Sequence, residues 1–435
     1  MSTMPALDCH LENFRRLDGV GPAALSALRE RAVARFADFG FPTAKLEDWK
    51  YTDVAALTRQ PFRLPDDAVP PGAAALAAAA RLGTGIELVY INGRFVPSLS
   101  CIGALPSRAV VASLADALHT HAALVEPHLA RCASFAHPHE SLTALNTAFL
   151  SDGAFVYVPI GAVIESPIHC LYVSSAANGA TVAHPRTLII AGEGSRVTVV
   201  EQYLGEGAYW TNAVSEAVVG ADAALAHYRV QREGGHAFHV GVVAVEQAAD
   251  SRFRSHAVSL GGALARTEIA ARLDAPGAAC TFDGLYLASG VQHVDHHTTI
   301  DHRQPRGTSR ELYKGIMDGR ATGVFNGKVF VRPHAQQSDA EQMNKNLLLS
   351  DEAQVDTKPQ LEIFADDVKC SHGATIGQLD DEAVFYLRAR GIDAASARQM
   401  LIFAFANELV ERIDVGPLRA LLATEIESRF QGDAA

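Results

Sequence analysis

Between Gly153 and about Thr375 the chain shows almost no helix-length apolar period. Instead it repeats a small or acidic turn followed by a short β-rich run, at nearly constant spacing. Five such starts are legible: Gly194-Ser-Arg-Val, Ala221-Asp-Ala-Ala, Asp250-Ser-Arg-Phe, Gly277-Ala-Ala-Cys and Thr308-Ser-Arg-Glu. They lie 27, 29, 27 and 31 residues apart. A unit of that length, holding two or three short strands and no helix, matches one coil of a β-solenoid. Identity between units is low, so a β-sandwich with irregular spacing also fits.

The flanks read differently, and three regions are expected: a mostly helical 1–150 with a short hairpin, a β core over 151–378, and a helical 379–435. Pro22 to Phe39 places Leu25, Leu28, Ala32, Val33 and Phe36 at three- and four-residue steps, which predicts an amphipathic helix ending near Gly40. The polar stretch from Thr43 to Asp53, with Trp49 and Tyr51, predicts a docked loop. Pro61 to Gly72 reads as a linker. Ile86 to Phe95 carries Asn92-Gly93 between apolar runs, a hairpin signal. Helical patterns return between Ala109 and Leu150. Beyond Leu379 they return again, over Asp381–Arg390 and Ala394–Ile413, and after a break at Gly416-Pro417 over Leu418–Phe430. Ile402, Phe403, Phe405, Ala406, Leu409 and Val410 give the long helix a broad apolar face, suited either to packing on the β core or to docking a partner.

A formal charge of −12 argues against a general nucleic-acid binder, which needs a basic face to replace phosphate counterions. No run of 18 apolar residues is present, so no membrane span is expected. Nor is there a basic n-region before Met4 and Pro5 or an apolar signal core after them. The six cysteines (Cys9, Cys101, Cys132, Cys170, Cys280, Cys370) are scattered without a C-x-x-C pair, which points to a reduced cytoplasmic protein. Gly323–Lys328 has the wrong spacing for a phosphate loop. G-x-S-x-G, H-E-x-x-H and G-x-G-x-x-G are absent too. Any nucleotide chemistry would have to come from a partner.

Two clusters carry chemistry. Along a strand, His293, Asp295 and His297 would share one face, and His296 and His302 the other. The first three could hold a metal, or could form a hydrogen-bonded ladder. In Cys370-Ser-His372 a thiol and an imidazole would share a face with Val368, their Cα atoms roughly 7 Å apart. Both could reach one iron, but two ligands cannot complete four-coordination, so others would come from elsewhere, plausibly another chain. A half-buried structural pair is the alternative. His137, His139, His236 and His239 read as ordinary surface or turn histidines.

Around Cys370 the sequence becomes specific. Leu347–Ser350, then Lys358–Asp380 (KPQLEIFADDVKCSHGATIGQLD), resembles the hallmark of the SufB/SufD family of iron–sulfur cluster assembly proteins. Phe385–Ile392 (FYLRARGI) and Asp295–Ser309 (DHHTTIDHRQPRGTS) extend the resemblance. Gly40–Thr52 (GFPTAKLEDWKYT) and the Cys-Ser-His-Gly-Ala-Thr form are similar to the SufD branch. The resemblance implies a right-handed parallel β-helix with helical flanks, acting as a non-catalytic scaffold. It implies pairing with SufB through the β-helix and binding of the SufC ATPase through the C-terminal region, here Phe385, Ile402, Phe405 and Leu409. A nascent iron–sulfur cluster, or iron, would be shared with SufB. His372 matches the interface histidine and Cys370 the nearby cysteine. The resemblance also suggests a reduced flavin on the assembled complex, an aid to iron acquisition, and a homodimer when the chain is alone. Two other functions stay open: a purely architectural subunit, and a metal-dependent β-helix enzyme using His293, Asp295 and His297.

Overall fold

A computed structural model describes residues 6–16, 23–66, 68–176 and 179–431; Met4, Pro5 and Pro22 lie outside them. Successive strands alternate between an 11-stranded and a 10-stranded sheet, and nearly all neighbours pair in parallel. The result is a β-solenoid of about eight turns with helices at both ends. The sandwich alternative is excluded by the parallel register, in which Ala224, for example, pairs with Arg196 on one side and Arg252 on the other.

The repeated turns of the sequence stack as one corner of the solenoid. Gly194, Asp222, Asp250, Gly277, Arg306 and Gln337 all have left-handed backbone, with φ between 54 and 74°. Each donates its N–H to a carbonyl of the next coil: Gly194 to Ala221 (2.8 Å), Asp222 to Ala249 (2.9 Å), Asp250 to Pro276 (3.0 Å) and Gly277 to Pro305 (3.0 Å). The same contact continues from Arg306 to Gln336 and from Gln337 to Asp367. A corner with no strand partner thereby satisfies its backbone donors, and Gly or Asp enters that conformation at least cost. Arg306 and Gln337 occupy it against their own preference, because the corners on either side over-determine the backbone.

Inside the coils, alternate residues form the core, among them Val197, Val199, Leu225, Phe253, Cys280, Phe282, Tyr286 and Val294. Most of the amino-terminal helices pack on the 10-stranded sheet, whereas Pro71–Ala79 packs on the 11-stranded one. Ala23–Phe39 buries Leu25, Ala32 and Phe36, as its periodicity predicts. The hairpin forms between Ile86–Ile91 and Arg94–Phe95, with Asn92 and Gly93 both at positive φ. It is not separate from the core, since Ile86–Ile91 also pairs in parallel with Ile168–Ser175. The expected linker is pinned rather than loose: Phe62 is fully buried and Arg63 bridges to Thr181.

Helices Asp381–Arg388, Ala394–Val410 and Gly416–Gln431 close the carboxyl end. Ala394–Val410 lies on the 11-stranded sheet and buries Ile402, Ala406, Leu409 and Val410 there. Arg412 ties the same region to Asp283 at 2.8 Å. Packing on the β core therefore accounts for most of that helix's apolar face.

Candidate metal-ligand site at the open end of the solenoid

The last coil consists of Gln354–Ile363 in one sheet and Lys369–Gly377 in the other, each pairing on one side only among the described residues. Earlier strands are mostly buried, whereas these two are half-buried or exposed along their length. Cys370 and His372 sit in Lys369–Gly377, in register with Ala340 and Gln342 of the preceding coil. They share the face that points into the solenoid. Val368 and Cys370 pack against the interior core, while His372 is exposed. Burial pushes the Cys370 thiol up, an effect the nearby Asp339 charge reinforces and a hydrogen bond with the Ala340 backbone opposes. Binding a metal there would therefore release a proton. Neither residue is joined by a third ligating side chain: no group of three or more His, Cys, Asp or Glu able to hold a metal occurs among the described residues. The pair can offer two ligands from one uncovered edge and needs others.

The second cluster is arranged otherwise. His293, Asp295 and His297 do share a face, as alternation predicts, and it is the outer face of the 10-stranded sheet. The polar stretch expected to dock lies over it. Trp49 and Thr52 are buried, Arg266 stacks its guanidinium 4.0 Å from the Trp49 ring centre, and Thr52 Oγ1 lies 2.9 Å from His293 Nε2. Asp295 accepts from Thr52 and pairs with Arg266 and with His297, the last at 3.1 Å. Burial would raise its carboxyl, but the Arg266 and His297 charges override this and hold it well below the usual carboxylate range. These three residues form a hydrogen-bonded ladder that latches the amino-terminal region to the solenoid. His296 and His302 face inward; His296 lies between the Tyr286 and Tyr313 rings, with centroids 5.1 and 5.3 Å away.

Other assignments shift as well. His239, expected at a surface or turn, is fully buried inside the solenoid, where it bonds Arg229 at 2.7 Å and pairs with Glu233 at 2.7 Å. Of the four residues expected to dock an ATPase, Ile402 and Leu409 belong to the chain's own core and Phe405 is partly buried against it. Phe385 is 72% exposed, with Tyr386 and Met400 also exposed on the same helical region. Gln342 and Glu311, which line the interior beneath His372, have no signal in the sequence beyond being polar at inward positions. All six cysteines are free, and no helix among the described residues is long and apolar enough to cross a membrane.

Comparison with known proteins agrees with the fold. Residues 172–405 match the family model described as SUF system FeS cluster assembly, SufBD core domain, and residues 7–170 match the SufBD protein N-terminal region. The iron–sulfur cluster assembly protein SufD of Escherichia coli is 34% identical over 439 residues, covering 100% of both chains. An iron–sulfur cluster assembly SufBD family protein of Synechocystis is 34% identical, over 96% of this chain and 94% of that one. SufD of Bacillus subtilis is 26% identical over 94% of this chain and 95% of its own length. With two family models tiling residues 7 to 405 and full-length relatives at this identity, the chain belongs to the SufB/SufD family of iron–sulfur cluster assembly proteins and is of the SufD type.

Proposed function

We propose that this chain is a scaffold subunit that pairs with SufB through its terminal coil and binds the SufC ATPase through its C-terminal helices. A nascent cluster then forms between the two solenoids, with His372 and Cys370 as this chain's ligands. The observation that carries the proposal is the placement of an imidazole and a thiol on one face of an uncovered last strand. A site with two ligands is incomplete by itself, and the missing ones belong on the surface that covers that strand. Incomplete ligation also suits a site that must pass its cluster on. Ile363, Phe364 and Ile376 add exposed apolar surface at the same end, as an association surface requires. The free cysteines suit a reducing cytoplasm.

The test is iron and acid-labile sulfide per complex after anaerobic co-purification with SufB and SufC, for wild type and His372→Ala. Gel filtration establishes that both complexes are intact. Loss of at least two-thirds of the cluster in the intact variant complex is expected; equal content would make the chain purely architectural. The ATPase partner is tested separately. Phe385→Asp should weaken capture of SufC by roughly 30-fold, the effect of losing one exposed aromatic anchor worth about 2 kcal/mol. The melting temperature should not change, because Phe385 supports nothing beneath it. Unchanged SufC binding would move the docking surface elsewhere.

A further inference from the structure

The interior column beneath His372 is polar where the fold would accept apolar residues. Glu311, Gln342 and His372 occupy equivalent positions in three successive coils, in direct register. Glu311 and Gln342 are both buried. Gln342 Nε2 donates to Glu311 Oε2 at 2.7 Å, one coil further in. Nε2 is the donor in this bond, so the amino end of the carboxamide is the one that meets Glu311. Glu311 engages the amino end of the amide, and Oε1 is left free of that bond, one coil beneath His372 in the register. That oxygen is buried and has no hydrogen-bond partner.

The next two inward amides of the same strand are paired differently. Asn344 and Asn346 have both oxygens engaged: Asn344 Oδ1 accepts from Asn346, and Asn346 Oδ1 accepts from the Tyr286 hydroxyl at 2.6 Å. Room for the Gln342 side chain comes from Gly327 on the facing sheet, where a Cβ would stand 2.2 Å from Gln342 Nε2. A buried acceptor in such a packed position has the capacity for one further hydrogen bond.

We propose that Gln342 is a positioning residue for His372: its carboxamide, held by Glu311, accepts one ring N–H of His372 and leaves the other ring nitrogen to bind iron. This rests on His372 being a ligand, as proposed above. A metal-bound histidine ordinarily donates its second ring N–H to a carbonyl or carboxylate, which sets tautomer and ring orientation. The exposed imidazole gains that partner by turning inward over the coil end, where a covering subunit would press it.

The experiment uses the anaerobic complex with SufB and SufC at pH 8 and measures iron retained against a ferrous chelator. Four proteins are compared: wild type, His372→Ala, Gln342→Met and Gln342→Glu. Gln342→Met keeps the volume and removes the acceptor, and is expected to lower retention about 10-fold, the lower end of what losing such a partner costs. Gln342→Glu keeps an acceptor oxygen but meets Glu311 through a shared proton instead of an amide donor, so its retention should fall between wild type and Gln342→Met. Wild-type retention in Gln342→Met, with loss in His372→Ala, overturns the positioning role alone. Wild-type retention in His372→Ala overturns the ligand assignment and this inference with it. Equal loss in both Gln342 variants also overturns the role, since one of them retains the acceptor. Where Gln342→Met does not assemble, Glu311→Gln probes the same geometry from below. It should lower retention at least threefold by letting the Gln342 amide reverse, and unchanged retention overturns the proposal.

Discussion

Lowering the pH from 7.5 to 5 is expected to remove at least about 5 kcal/mol of folding stability, an amount comparable with the whole stability of many domains. Four buried histidines are enough to set the sign, and His184, His239 and His293, which burial also lowers, act in the same direction. Desolvation lowers His256 and His296 to about 3 and His10 and His302 to about 4. Both ring nitrogens of His256 and His296 lack hydrogen-bond partners, so neither has a group to share a proton with. Unfolded, each would titrate near 6.5. The folded state therefore binds fewer protons, and the stability present above about pH 6.5 is lost progressively as the pH falls toward 3. By pH 5 that is about 2 kcal/mol for each of the four, or about 8 together. Glu311 works the other way. Burial raises its carboxyl to about 7, so it takes up a proton in the folded state first and returns about 3 kcal/mol. Melting curves followed by circular dichroism between pH 7.5 and 4.5 should show Tm falling by about 5 °C or more at pH 5. His296→Phe, which keeps an aromatic ring between Tyr286 and Tyr313, should recover about 2 kcal/mol of the loss. A Tm independent of pH over that range would refute the account.

The second large effect lies deeper in the solenoid. Glu201→Ala is expected to destabilise the chain by about 3–5 kcal/mol, read as a shift of the urea midpoint. Glu201 is fully buried and accepts from Arg229 at 3.0 Å and from Ser215 at 2.8 Å, and it lies 3.2 Å from His227 Nε2. Burial would raise its carboxyl, but the hydrogen bond with His227 and the Arg229 charge override that and hold it well below the usual range. Its removal leaves the buried Arg229 guanidinium hydrogen-bonded to His239 and Tyr203, with Glu233 as the remaining negative charge acting on it. Glu201→Gln keeps the volume and one acceptor and should cost less, about 1–3 kcal/mol. The paired change Glu201→Leu with Arg229→Met removes both charges and should approach neutrality. A double variant no more stable than Glu201→Ala would show that the network contributes more than mutual compensation.

Much of this molecule is visible in its residues, and the visible parts share a cause. The spacing of Gly194, Ala221, Asp250, Gly277 and Thr308 registers one coil because a corner must turn at the same height in every layer. Asn92-Gly93 announces a hairpin because both positions need positive φ. Alternation sorts His293, Asp295 and His297 from His296 and His302 because strand geometry leaves no other choice. What such patterns leave open is which face looks inward, and what covers the other. Trp49 and Thr52 lie roughly 240 residues from the strand they cover, and no local periodicity connects them. The same holds for Ile402 and Leu409, whose apolar face fits a partner and the protein's own sheet equally well until the sheet is in place.

Repeat length, helical flanks, family and the placement of Cys370 and His372 on one face are all legible in the residues, because each follows from local backbone geometry or from a contiguous motif. That this pair stands on the last, uncovered strand emerges from the stacking of the coils. The tertiary structure also closes the His/Asp cluster under the amino-terminal loop and places an unpaired amide oxygen one coil beneath His372. Those properties are set by stacking residues from different coils and by which coil is last, and distance along the chain carries neither.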